Sequence, residues 1–182
     1  MKRNIAMNQI STITERDSAG NDATKLLDGV HHVALLTSDT DRLIDFYQSV
    51  FGAAAEDTTV DGPVRLTFLN LGPNTELNVF EIDGNDQASH QTPMFGRGRL
   101  DHLGVRAASI EAFTEIRRRL VELGASDGFV TDFGPVLSLF FTDPDGLEAE
   151  VCVPNPDAEP GVRNPPGTPS ARYGQHGSSS RW

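Results

Sequence analysis

Leu100-Asp101-His102-Leu103-Gly104-Val105-Arg106 decides the fold, because the chain has already used a similar stretch at Gly29-Val30-His31-His32-Val33-Ala34-Leu35-Leu36. Both runs are short and rich in apolar and β-branched residues, which predicts strands. N-cap residues follow each one: Ser38 and Asp39 after the first, Ser109 after the second. Apolar residues then recur at helical spacing. Leu43, Phe46, Tyr47 and Val50 precede Gly52, and Ile110, Phe113, Leu120 and Leu123 precede Gly124. Two further strands are predicted in each half. Residues 64–71 and 77–82 flank the turn Gly72-Pro73-Asn74, and residues 136–142 and 147–153 flank Asp143-Pro144-Asp145-Gly146. A short additional strand is expected near 55–61 and near 127–131.

The two halves are a repeat. Gly52 and Gly124 are 72 residues apart, as are Gly62-Pro63-Val64 and Gly134-Pro135-Val136, while His32 and His102 are 70 apart. The chain therefore reads as an α+β fold of two βαβββ modules, about 27–85 and 98–153, which form a curved mixed sheet around a central cavity. Residues 1–26 lack sustained periodicity and read as a tail. From Pro154 to Trp182 the chain is rich in Pro, Gly and Ser, too poor in apolar surface to offset the entropy of ordering it.

Composition excludes several functions. The 182 residues carry 15 Lys+Arg against 26 Asp+Glu, a formal charge of −11. Such an acidic chain is expected to bind neither nucleic acid nor an anionic membrane surface, since both need clustered basic residues. Its single cysteine, Cys152, rules out an internal disulfide framework and any multi-cysteine zinc site. No apolar run reaches the ~18 residues of a membrane span, and the N-terminal residues lack the apolar core of a secretory signal. The expectation is a soluble cytoplasmic protein. The Arg117-Arg118-Arg119 run reads as a solvated helix face, with a phosphate contact as the alternative.

The repeat also selects candidate site residues. His32 and His102 are equivalent, and the 72-residue offset pairs Glu150 with Asn78. Side chains alternate along a strand, so Glu148, Glu150 and Cys152 share one face, and Glu76, Asn78 and Phe80 share another. Two imidazoles and a carboxylate converging near a pseudo-twofold axis suit Fe(II) with open positions. The same donors accept Mn(II), Ni(II), Co(II) or Zn(II). His31 is expected to point away from His32 by the same alternation, and Cys152 to be a small apolar core residue.

These residues resemble a known family. His32 with Asp39, Arg42, Phe46-Tyr47 and Gly52 is similar to the first half of the vicinal oxygen chelate superfamily. Asp101-His102 and Phe141-x-Asp143-Pro144-Asp145-Gly146-x-x-x-Glu150 resemble its second half. That superfamily holds glyoxalase I, bleomycin- and fosfomycin-resistance proteins, methylmalonyl-CoA epimerase and extradiol dioxygenases. The resemblance implies one divalent metal ion, Fe(II) first among the candidates, held by His32, His102 and Glu150. The family's fourth position falls on Asn78, as a ligand or behind the ligands. Family members usually carry Glu or Gln there, and a neutral amide cannot act as a base. The implied function is a metal-dependent enzyme that chelates two neighbouring oxygens of a small organic substrate, as a ring-cleaving dioxygenase or as a lyase or isomerase. The alternative is small-molecule sequestration of the bleomycin-resistance type, without catalysis. A homodimer is also implied by the resemblance.

Overall fold

The fold is seen in a computed structural model that describes residues 29–163 and 165. The predicted N-terminal tail, 1–26, lies outside the described residues. Within the unit that runs from His31 onward, the first module is β1 (His32–Thr37), α1 (Thr40–Phe51), β2 (Ala54–Asp61), β3 (Val64–Gly72) and β4 (Thr75–Ile82). A linker with a single 3-10 turn at Gln87–Ser89 leads to the second module. This is β5 (Leu103–Arg106), α2 (Ile110–Glu122), β6 (Val130–Asp132), β7 (Val136–Thr142) and β8 (Glu148–Pro154). The two βαβββ modules are present as two four-stranded mixed sheets, ordered β1-β4-β3-β2 and β5-β8-β7-β6, with no closed barrel.

Local chemistry sets the helix ends. Asp39 caps α1 by accepting the Arg42 N–H at 3.0 Å, and Ser109 caps α2 by accepting the Ala112 N–H at 3.1 Å. Gly52 and Gly124 leave the helices at φ 69° and 68°, a left-handed turn that glycine adopts without a Cβ penalty. The helices pack through one apolar core. Leu43, Tyr47 and Val50 of α1 and Phe113 and Leu120 of α2 meet Leu69, Leu77 and Val79 of the first sheet and Leu139, Val151 and Val153 of the second.

The repeat holds residue by residue. Parallel pairing sets His32 beside Glu76 and Ala34 beside Asn78, and in the second sheet Gly104 beside Glu150. Antiparallel pairing sets Phe68 opposite Asn78 and Phe140 opposite Glu150. Burial alternates with it. Leu77 and Val79, and Ala149 and Val151, enter the core, while Asn78 and Glu150 lie on the other face of their strands. Glu81, odd to Asn78, accordingly turns to the helix side and accepts the Thr40 N–H at 2.9 Å.

The modules are joined by polar contacts as well. Arg119 of α2 donates to the carbonyls of Ser49 and Val50 at the end of α1, at 3.0 and 3.2 Å. Asp145, in the turn before β8, accepts from Thr37 Oγ1 at 2.6 Å, from Ser38 Oγ at 2.9 Å and from Arg42 at 2.6 Å. All three arginines of the basic run are engaged within the chain. Arg117 bonds the Gly128 carbonyl, and Arg118 pairs with Glu115 and Glu122. Of the expected C-terminal tail, the first residues fold back: Asn155 donates to the Gly134 carbonyl at 2.8 Å, and its N–H reaches the Pro135 carbonyl at 3.0 Å. Among the described residues no helix is long and apolar enough to cross a membrane.

Candidate functional site

His102 stands immediately before β5, and Glu150 lies near the middle of β8. Their facing atoms, Nε2 and Oε1, are 3.2 Å apart. Each group is held from behind. Asp101 Oδ2 lies 2.7 Å from His102 Nδ1, and Ser138 Oγ donates to Glu150 Oε2 at 2.5 Å. Desolvation pushes the Asp101 carboxyl up, but its hydrogen bonds with His102 and with the Phe95 N–H outweigh this and hold it below its ordinary value. An ionised carboxylate only accepts, so the tautomer with its hydrogen on Nδ1 bonds Asp101 and aims the Nε2 lone pair at Glu150. Two acceptor atoms then face each other, a contact that a proton or a cation between them resolves. Phe140 and Phe95 stand edge-on to the His102 ring, with centroids 6.4 and 6.5 Å away.

The backbone makes room for this pair. A Cβ built on Gly104 would lie 3.3 Å from Glu150 Oε1, tighter than ordinary contact, so the strand beside Glu150 carries no side chain at that point. In the first module the equivalent pair is Ala34 and Asn78. Asn78 Oδ1 is buried and has no hydrogen-bond partner among the described residues. A buried carbonyl oxygen without a donor is costly, and it is the atom an amide offers to a cation or to a ligand hydroxyl.

The structure brings His102 and Glu150 together but places His32 elsewhere. Among the described residues, ligand atoms of three or more His, Cys, Asp or Glu gather within 4.8 Å only at His31, His32 and Glu76. The expectation that His31 points away from His32 is corrected here. Their rings meet at 5.2 Å between centroids, and their Nδ1 atoms are 3.0 Å apart. Strict alternation applies inside a strand, and His31 precedes the first residue of β1.

Other charged groups are already occupied. Arg42 pairs with Asp145, and Arg65 with Asp41 at 2.6 Å, so neither is free to offset the acidic surface. Arg97 of the linker pairs with Glu148 at 3.0 Å, and the Met94 N–H also donates to Glu148. Sequence reasoning passed over this linker and Ser138. The available signal for Ser138 was its position two residues before Phe140, on the same face of β7. Burial, and then the neighbouring Glu150, push the Cys152 thiol up to about 12, so it is not a nucleophile at neutral pH. A cleft of about 790 Å³ opens beside the Asp143–Gly146 turn, lined by Arg42, Phe46, Asp143 and Glu148 among others; none of His32, Asn78, His102 and Glu150 lines it.

Comparison with known proteins follows this geometry. The sequence profile described as Glyoxalase/Bleomycin resistance protein/Dioxygenase superfamily matches residues 29–151. A 2-epi-5-epi-valiolone epimerase of Actinomyces sp is 29% identical over 143 residues, covering 67% of this chain and 77% of the relative. A glyoxylase/bleomycin resistance protein/dioxygenase domain from Frankia sp. EAN1pec superposes with a TM-score of 0.60 at 22% identity, over 72% of this chain and 95% of that one. The fosfomycin resistance protein FosX of Listeria monocytogenes, in complex with Mn(II) and sulfate, superposes with a TM-score of 0.53 at 20% identity, over 71% and 95%. These structural likenesses concern the fold, and the profile match spans most of the chain: this protein belongs to the glyoxalase/bleomycin resistance protein/dioxygenase superfamily.

Proposed function

We propose that the protein is a metal-dependent enzyme of this superfamily that binds a small organic substrate through two neighbouring oxygens. His102 Nε2 and Glu150 Oε1 hold the divalent ion, and His32 and Asn78 complete the set. The observation that carries this reading is that His102 Nε2 and Glu150 Oε1 face each other 3.2 Å apart, each group held by a partner behind it. That spacing suits two atoms that ligate one ion at about 2.1 Å each. The partnerless Asn78 Oδ1 fits the same role. His32 enters this reading as the repeat equivalent of His102, its exposed ring lying beside His31. Mn(II) in the FosX structure makes Mn(II) a candidate beside Fe(II), Ni(II), Co(II) and Zn(II).

When bound, such an ion polarises a substrate carbonyl and acidifies the neighbouring C–H. The chain's own residues then orient the substrate. Asn78 offers an acceptor to a substrate hydroxyl, and Phe68 and Phe140 supply apolar walls. The epimerase relative supports the non-redox branch, in which a proton leaves and returns at a carbon beside a carbonyl. Asn78 cannot take that proton, so the base lies elsewhere in the site. A homodimer is part of this reading, and sedimentation would test it.

Two measurements test the proposal. In a His31→Ala background, which breaks up the neighbouring His31–His32–Glu76 cluster, protein purified without an affinity tag should carry roughly one divalent ion per chain, lost on adding His102→Ala or Glu150→Ala. Equal metal content in that background with and without the central pair would overturn it. With metal bound, 2-epi-5-epi-valiolone in D2O should gain deuterium beside its carbonyl. Oxygen uptake with a catechol panel instead would move the assignment to the dioxygenase branch. Tight substrate binding with neither reaction would leave sequestration.

A further inference from the structure

His31, His32 and Glu76 form a second constellation at the rim of the first sheet. The two Nδ1 atoms lie 3.0 Å apart, and Glu76 Oε1 lies 3.7 Å from His31 Nδ1. All three ligand atoms fall within 4.8 Å of one another. The frame beneath them is fixed by backbone bonds. His32 and Glu76 are register partners in the parallel β1–β4 ladder, and the Glu76 N–H donates to the His31 carbonyl at 3.1 Å. Two of the three side chains therefore leave paired positions of one ladder, and the third leaves the residue clamped just before it. The backbone thus holds the three positions together, while the exposed rings keep their rotamer freedom.

The chemistry of the set is specific. Two imidazole nitrogens a cis-ligand distance apart, with one carboxylate, favour divalent ions of intermediate softness: Zn(II), Co(II), Ni(II) or Cu(II). Hard, fully oxygen-ligated ions such as Mg(II) and Ca(II) are disfavoured. The His31 side chain is 83% exposed, so a hydrated ion reaches the site from solvent without any movement of the linker.

We propose that His31, His32 and Glu76 form a separate divalent-cation site at the rim, selective for nitrogen-seeking metals. His32 belongs both to this site and to the proposed centre at His102 and Glu150. A neutral imidazole has one lone-pair nitrogen, so it cannot serve two ions at once. The rim ion and the central ion therefore compete for His32. Excess Zn(II) or Cu(II) draws the ring to the rim and weakens the centre. The rim site itself does not rest on the central reading; only the competition does.

The test uses Co(II) as probe, read by its visible d–d absorption, with the full-length chain carrying no affinity tag. In His102→Ala/Glu150→Ala, which removes the central pair, Co(II) should still bind and show these bands. Adding His31→Ala should abolish that binding, and adding Glu76→Gln should weaken it by roughly tenfold. Loss of all Co(II) binding in the central double variant, or binding there that His31→Ala leaves unchanged, would overturn the rim site. Because His31 is exposed, its replacement should leave the far-UV circular dichroism unaltered. His31→Ala alone reports the centre in isolation. Retained Co(II) binding there, lost on adding Glu150→Ala, supports the central reading, and absence of binding there counts against the centre and not against the rim. In wild type, excess Zn(II) should release Co(II) from the central site more readily than in His31→Ala. Equal release in the two proteins would overturn the competition.

Discussion

Ser138 donates its hydroxyl to Glu150 Oε2 and leaves Oε1 turned toward His102 Nε2. One oxygen of the carboxylate is thus anchored and the other presented, as Asp101 anchors one imidazole nitrogen and presents the other. Removing either anchor should loosen the metal pair without removing a ligand. Ser138→Ala and Asp101→Asn are each expected to weaken metal binding about tenfold or more, measured by competition with a chelator of known affinity. Unchanged affinity in both would show that the presentation of these atoms does not depend on the groups behind them.

Asp145 should be the polar residue whose loss costs most at the junction of the modules. Its side chain is only 4% exposed and accepts from Thr37, Ser38 and Arg42. Asp145→Ala strands three donors and is expected to lower unfolding free energy by about 2–3 kcal/mol, moderated because Arg42 is half exposed. Arg42→Ala should cost about 1 kcal/mol or less. Urea melts of the two variants check the order, and an equal loss in both would refute it.

Tyr47 carries a buried hydroxyl with no hydrogen-bond partner among the described residues, and burial, then Asp143 and Asp145, push its ionisation far above the ordinary range. The ring contributes through packing against Phe46 and Phe51. Tyr47→Phe keeps that packing and removes the unsatisfied group, so it should raise stability by about 1 kcal/mol. Destabilisation in thermal melts would mean that the hydroxyl has a partner.

Asp143 should make stability depend on pH. Burial, partly offset by hydrogen bonds from backbone N–H groups, raises its carboxyl from 3.8 to about 6. The folded state therefore holds the proton more tightly than the unfolded chain. The stabilisation this gives is complete below the unfolded value and fades as pH rises toward 6, by on the order of 3 kcal/mol in all. Asp143→Asn keeps an acceptor for the Leu147 and Asp145 N–H groups but cannot ionise. Relative to wild type it should gain stability between pH 4 and pH 7, and a constant difference across that range would contradict the assignment.

Much of this architecture was legible because local rules and the repeat agreed. Gly52 and Gly124 stop their helices where the apolar stripes end, and the 72-residue offset alone sets Asn78 and Glu150 at equivalent positions, as the sheet registers do. What local rules could not reach were partners distant in sequence. The Asp143–Gly146 turn is recognisable as a turn, but nothing in it names Thr37 as the partner of Asp145, 108 residues away. Ser138 aligns by the same offset with Leu66, an apolar residue, so the repeat offered no polar counterpart to flag it. His31 was misplaced because alternation was carried one residue past the strand end. The orientation of the His32 ring was likewise beyond a rule that assigns faces and says nothing of rotamers.

Gly104 beside Glu150, and Ala34 beside Asn78, are equivalent couples in the two halves, each matched in size. The long acid has an empty neighbour, and the short amide tolerates a methyl. An engineer wishing to restore a second carboxylate must therefore trade two residues at once. Asn78→Glu alone inherits the crowding that glycine relieves across the pseudo-symmetry, whereas Ala34→Gly/Asn78→Glu recreates the roomier couple.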